Sequence, residues 1–140
     1  MQQFLTYATN HIMLVAATAL MAVVVLVHEL RARAANASAV GPSEAVRLMN
    51  GGALLIDVRG SDAFAASHIA SARSVPGATI ADGAASLERY KEKTVIAYCD
   101  SGQTSAIAVR HLGRLGFKQV VNLRGGLAAW RAENLPVEKS

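Results

Sequence analysis

The sequence predicts an α/β domain, a largely parallel sheet with helices on both faces, preceded by one N-terminal transmembrane helix. Three observations lead there: an uncharged aliphatic stretch near the N-terminus, short apolar runs alternating with helical periods after it, and short joints between them. A length of 140 residues favours one domain plus at most an appendage. About 100 residues outside the aliphatic stretch suffice for a single core.

The N-terminal element comes first. From Gln2 to His28 there is no Lys, Arg, Asp or Glu, and Ile12 to Val27 is almost purely aliphatic. Extended back to Phe4, the uncharged stretch has 24 residues, against the roughly 20 that a spanning helix needs. Thr6, Thr9, Asn10 and His11 soften its start, and Tyr7 suits an interfacial anchor. The competing reading is a cleaved signal peptide, with small-residue sites such as Ala35-Asn36-Ala37 downstream. Against it, Met1-Gln2-Gln3 lacks the positive charge that such peptides carry. Arg31 and Arg33 instead follow the stretch, and the positive-inside rule keeps them in the cytoplasm. The expected organisation is an anchor over residues 1–30, a linker over 31–41 (RARAANASAVG) and a domain over 42–140. The expected location is the inner, cytoplasmic membrane of a bacterium, crossed once, with the domain on the cytoplasmic side.

Within the domain, Pro42-Ser43-Glu44 opens a helix with Ser43 as the expected cap, and Gly51-Gly52 closes it. Ala53 to Val58 is a continuous apolar run of strand length, as expected of a strand covered on both faces. Ser61 to Ala66 reads as a short helix, and Ser74-Val75-Pro76 as a brief strand. A helical piece over Ala84–Tyr90 precedes the strand Thr94–Tyr98. The next helix runs from about Gln103 to Leu115, stopped by Gly116. Gln119–Leu123 is a further strand, and Leu127–Glu133 a final helix.

Net charge is +4 for the whole chain. Residues 40–140 hold 12 Lys and Arg against 9 Asp and Glu, a mild excess that suits a small anionic substrate. No basic run is interleaved with aromatics, so nucleic acid is not an expected partner. A single cysteine excludes an internal disulfide and a cysteine-based zinc cluster, and no His/Asp/Glu group has metal-ligand spacing.

That cysteine, Cys99, falls directly after an apolar strand and before a helix, the place where ligands bind in open α/β sheets. The joint Cys99-Asp100-Ser101-Gly102-Gln103-Thr104-Ser105 is short and polar. Such a loop can turn its amides inward as an anion nest, aided by the helix N-terminus, and the same potential favours a thiolate. Gly102 supplies the backbone freedom for the curl, while Thr104 and Ser105 offer hydroxyl donors. The bland alternative is a buried structural cysteine.

Four stretches, in order, resemble the rhodanese family along nearly all of residues 40–137. They are Leu55-Ile56-Asp57-Val58-Arg59; Phe64 through Ile69 with Pro76; Tyr98-Cys99 with Gly102 and Ser105; and Asn122-Leu123-Arg124-Gly125-Gly126 with Trp130. The resemblance implies a rhodanese-like three-layer domain with a five-stranded, mainly parallel sheet. It also implies transfer of sulfane sulfur through a Cys99 persulfide, with no cofactor. The donor is a small anion such as thiosulfate, or a persulfide, and the acceptor a thiol or protein nucleophile. In this reading the amides of residues 100–104 hold the persulfide and the departing anion, and Asp100, Ser101, Gly102, Gln103, Thr104 and Ser105 bind substrate.

The loop departs from the family in ways that matter. Asp100 stands where an arginine is frequent, and its carboxylate is expected to repel a dianionic donor and raise the thiol pKa. Thr104 supplies no cation. Cysteine phosphatases place an arginine six residues after the cysteine to clamp phosphate; Ser105 is there instead, which argues against phosphatase activity. Asp57 and Arg59 leave their strand at the same edge as Cys99 and are expected to brace the loops. His68 reads as structural, and His111 lies too far along its helix to touch substrate. A rival from another class is an anchored interaction module, docking a membrane-protein or sulfur-trafficking partner at the lipid bilayer with incidental catalysis.

Overall fold

A computed structural model describes residues 11–36 and 38–140; Tyr7 and the rest of the N-terminal stretch lie outside them. The chain divides into two units, Met1–Ala37 and Ser38–Ser140. In the first, helix α1 spans Ile12–Asn36. Its segment Ile12–Leu30, 19 residues of mean hydropathy 2.2 with none buried, is the one described helix long and apolar enough to cross a membrane. The helix runs six residues into the expected linker, over 31–36. Arg31-Ala32-Arg33-Ala34-Ala35 contains no helix breaker and is rich in good helix formers, so nothing stops the helix at Leu30.

The second unit contains β1 (Ala39–Val40), α2 (Pro42–Asn50), β2 (Leu54–Asp57), α3 (Ser61–Ala66), β3 (His68–Ile69), β4 (Arg73–Ser74), α4 (Ile80–Ser86), β5 (Thr94–Tyr98), α5 (Gln103–Arg114), β6 (Gln119–Leu123), α6 (Gly126–Ala132) and β7 (Val137–Glu138). Two 3₁₀ turns flank α4, at Gly77–Thr79 and Glu88–Tyr90. The main sheet has the order β1-β6-β5-β2-β4, every pair parallel. A separate antiparallel pair joins β3 to β7.

Each central strand is covered on both faces because its residues alternate between two cores. Ile56, Val95, Ala97 and Cys99 pack on the side of α4 and α5 with Ile80, Ala84, Ala108 and Leu112. Leu55, Ile96 and Tyr98 pack on the side of α2 and α6 with Ala45, Leu127 and Trp130. Burial of each large aliphatic side chain contributes about 1.5–3 kcal/mol.

Several expectations need correction. Residues 39–40 of the expected linker are the edge strand β1, pairing with Asn122 and Leu123. Ser43 does not cap α2: Gly41 holds the cap position without a side-chain bond, Pro42 opens the helix, and Ser43 Oγ donates to Glu133 Oε2 at 3.2 Å. The helix expected over 84–90 starts earlier, at Ile80, and gives way to a 3₁₀ turn. Gly83 obscures that start, and it is needed there, since a Cβ would come within 2.8 Å of the Val75 side chain.

Candidate active site around Cys99

Cys99 follows β5 at the carboxyl edge of the sheet and is 4% exposed. The Gly102 amide donates to its Sγ at 3.1 Å, and Ser105 Oγ lies 3.4 Å from it. Gly102 has φ +89°, the left-handed turn that brings the amide back over the sulfur. A Cβ there would lie 3.1 Å from the Leu123 carbonyl oxygen.

The other side of the loop is fixed by α6. Leu127 N–H donates to the Cys99 carbonyl at 2.8 Å, and Ala128 N–H to the Asp100 carbonyl at 3.1 Å. The C=O and N–H of a trans peptide point opposite ways. Holding the Asp100 carbonyl on α6 therefore turns the Ser101 N–H toward the thiol. Burial pushes the thiol pKa up, but the Ser105 hydroxyl and the amides of Ser105, Ser101 and Gly102 outweigh it and hold the pKa below its ordinary value.

Arg59 ties three segments together. Its Nη2 donates to Asp57 Oδ2 at 2.7 Å and to the Ser67 carbonyl at 2.6 Å, its Nε to Asp57 Oδ1 at 3.0 Å, and its Nη1 to Asp100 Oδ1 at 3.0 Å. This geometry overturns the expectation that Asp100 raises the thiol pKa. The Asp100 carboxylate pairs with Arg59 and faces solvent, its side chain 77% exposed. Asp57 is fully buried, and the Arg59 guanidinium is its ion-pair partner. We expect Arg59→Met to cost about 3 kcal/mol in urea unfolding by stranding that carboxylate. Asp57→Asn in the same chain should recover part of the loss.

A cleft of about 410 Å³ opens on the thiol, walled by Val58, Arg59, Ala63, Asp100, Ser101 and Thr104. Thr104 also lines a second, more apolar cleft beside α5, with Ile107 and His111. Of the residues expected to bind substrate, Asp100, Ser101 and Thr104 line the first cleft, and Gly102 and Ser105 touch the sulfur. Gln103 opens α5 with its side chain exposed and does not line that cleft. The amides at the resting Sγ belong to Ser101, Gly102 and Ser105. His68 stacks on Phe64 at 3.9 Å and its Nδ1 lies 2.9 Å from the Phe64 carbonyl, away from the cleft. Among the described residues no group of His, Cys, Asp and Glu is arranged to hold a metal ion.

Sequence reasoning missed Asn122. It is 7% exposed, with Oδ1 accepting from Ser105 Oγ at 2.7 Å and Nδ2 donating to the Gly102 carbonyl at 2.9 Å. The available signal was an amide side chain between the apolar Val121 and Leu123 near the strand's end.

Comparison with known proteins places this geometry among relatives. The Rhodanese-like domain family matches residues 41–133. The uncharacterized protein YibN of Escherichia coli (strain K12) is 33% identical over 139 residues, covering 98% of this chain and 97% of that protein. The thiosulfate sulfurtransferase GlpE of Coxiella burnetii is 35% identical over 81 residues, 58% of this chain and 74% of its own. Among solved structures, the BH2092 protein of Bacillus halodurans superposes with a TM-score of 0.65 at 30% identity, covering 80% of this chain and 85% of its own.

Proposed function

The chain belongs to the rhodanese-like family, and from that premise we propose that it is a membrane-anchored sulfurtransferase working through a Cys99 persulfide. The observation that carries this reading is the convergence of backbone amides and the Ser105 hydroxyl on the only thiol, at the mouth of a cleft.

The Cys99 thiolate attacks the outer sulfur of a sulfane donor. A new S–S bond forms, the donor's own bond to that sulfur breaks, and its electron pair leaves with sulfite or a thiolate. An acceptor nucleophile, a thiol or a protein group, then attacks the outer sulfur and regenerates the thiolate. This divides one transfer into two easier steps. The first-turn amides of α5 stabilise the negative charge that develops on the outer sulfur and the leaving group. Thiosulfate and persulfides are both candidate donors.

Intact-mass spectrometry of the full chain in detergent tests the chemistry. Incubation with a persulfide donor should add the mass of one sulfur atom, and an acceptor thiol should remove it. An unchanged mass with every donor would refute the reading. α1 serves as a single-pass anchor, with Arg31 and Arg33 holding the domain on the cytoplasmic side. A membrane-impermeant thiol reagent should then label Cys99 in inside-out vesicles and not in right-side-out ones. The reverse pattern would overturn that orientation.

A further inference from the structure

We propose that Asn122 is a positioning residue that controls where the Ser105 hydroxyl proton lies, and through it the ionisation of Cys99. This rests on the reading of Cys99 as the nucleophile and goes beyond it. Ser105 is fully buried and has one proton to donate. Two acceptors lie within reach, Asn122 Oδ1 at 2.7 Å and Cys99 Sγ at 3.4 Å. The carboxamide cannot turn to remove the competition, because its Nδ2 is engaged with the Gly102 carbonyl at 2.9 Å.

The proton therefore follows the charge on sulfur. With Cys99 as a thiol, the Ser105 O–H points to Asn122 and its lone pairs can accept from the S–H. When the thiol loses its proton to bulk water, the Ser105 O–H turns to the thiolate and the bond to Asn122 breaks. Once a persulfide forms, the negative charge moves to the outer sulfur and the O–H returns to Asn122. The amide side chain thus opposes ionisation of the resting thiol and helps release the hydroxyl from the sulfur after transfer.

Charged groups on the surrounding elements do not share this role. Asp57 and Arg59 bind each other, Asp100 faces Arg59, Arg124 bonds to the Ala39 carbonyl, and Arg131 bonds to Ser67 Oγ. Arg110, His111 and Arg114 lie in the later turns of α5.

The test is the pH midpoint of Cys99 alkylation by iodoacetamide in the full chain, which needs no sulfur donor and so stands apart from the persulfide experiment. Asn122→Val should lower the midpoint by about one pH unit, since the Ser105 proton is then free for the thiolate. Asn122→Asp should raise it, because a carboxylate holds that proton more tightly and adds a like charge. Both variants lose the bond to the Gly102 carbonyl, so opposite shifts separate proton placement from loosening of the loop. In a Ser105→Ala chain, Asn122→Val should leave the midpoint unchanged. Shifts of the same sign in the two variants, or the same Val shift with and without Ser105, would overturn the proposal. If Asn122→Val does not fold, a midpoint left unchanged or lowered by Asn122→Asp would overturn it alone.

Discussion

Replacing Cys99 with alanine should reduce sulfur transfer by at least about four orders of magnitude, the scale on which loss of a covalent nucleophile is felt. No second thiol can take its place, since the sequence contains one cysteine. The amides of the loop remain, but they then surround a methyl group that cannot accept sulfur. The fold should survive, because only one sulfur atom is removed and the cavity left is small; a stability loss of about 1 kcal/mol is expected. Thermal unfolding checks this alongside transfer assays with a persulfide donor and an acceptor thiol. In the native chain, Cys99 alkylation should rise with pH to a plateau, with its midpoint below the ordinary cysteine value of about 8.5. The sign follows from the chemistry: the thiolate reacts, and protonation removes it as pH falls through the midpoint. Retention of a tenth of the activity in Cys99→Ala would exclude the persulfide route.

The parts of this molecule that were legible in the sequence are those where one local signal settles the outcome. The runs at Leu54–Asp57 and Thr94–Tyr98 are strands covered on both faces, and Gln119–Leu123 is a strand that becomes buried toward its end. Gly116 ends α5 where a stop signal stands. The position of Cys99 at a strand end was legible for the same reason. By contrast, β1, β3 and β7 are two residues each and exist only through distant partners: Ala39 with Asn122, His68 with Glu138. No local pattern announces such pairs. The identity of α1 as an apolar helix was legible; its continuation to Asn36 depended on the absence of a breaker, a weaker signal than a cap.

The site divides in the same way. Gly102 and Ser105 were legible because they lie in the loop that carries the thiol. Asp100 was misjudged because its neighbour in sequence is Cys99, while its partner in space is Arg59, 41 positions away. Asn122 lies 17 positions from Ser105, and its meaning appears only when β6 lies beside β5. The donors that lower the thiol pKa belong to its own loop, Ser101, Gly102 and Ser105, while Arg59 and Asn122 bond to that loop from distant parts of the sequence.

Gly126→Ala should cause the largest loss of stability of any single methyl addition in the site, about 4–5 kcal/mol, which lies in the exceptional range for a point change. The left-handed φ of +55° at Gly126 is the smaller part of that cost, since alanine tolerates the region at about 1 kcal/mol. The larger part is steric. A Cβ there would stand 2.3 Å from the Cys99 carbonyl oxygen and 2.8 Å from the Asp100 carbonyl carbon and oxygen. These are rigid backbone atoms, so α6 must move off the loop. Doing so breaks the bonds from Leu127 and Ala128 that hold those two carbonyls. The Ser101 amide would then turn away from the sulfur, and the alkylation midpoint of any folded fraction should rise as transfer falls. Gly113→Ala is the matching control. It lies within α5 with nothing within 4 Å of the added Cβ, and alanine there should stabilise the chain by about 0.5–1 kcal/mol. Urea unfolding of the two variants separates close approach at the cysteine loop from the general effect of replacing glycine. Equal changes in both would mean that the contact between α6 and the loop does not hold the thiol's surroundings in place.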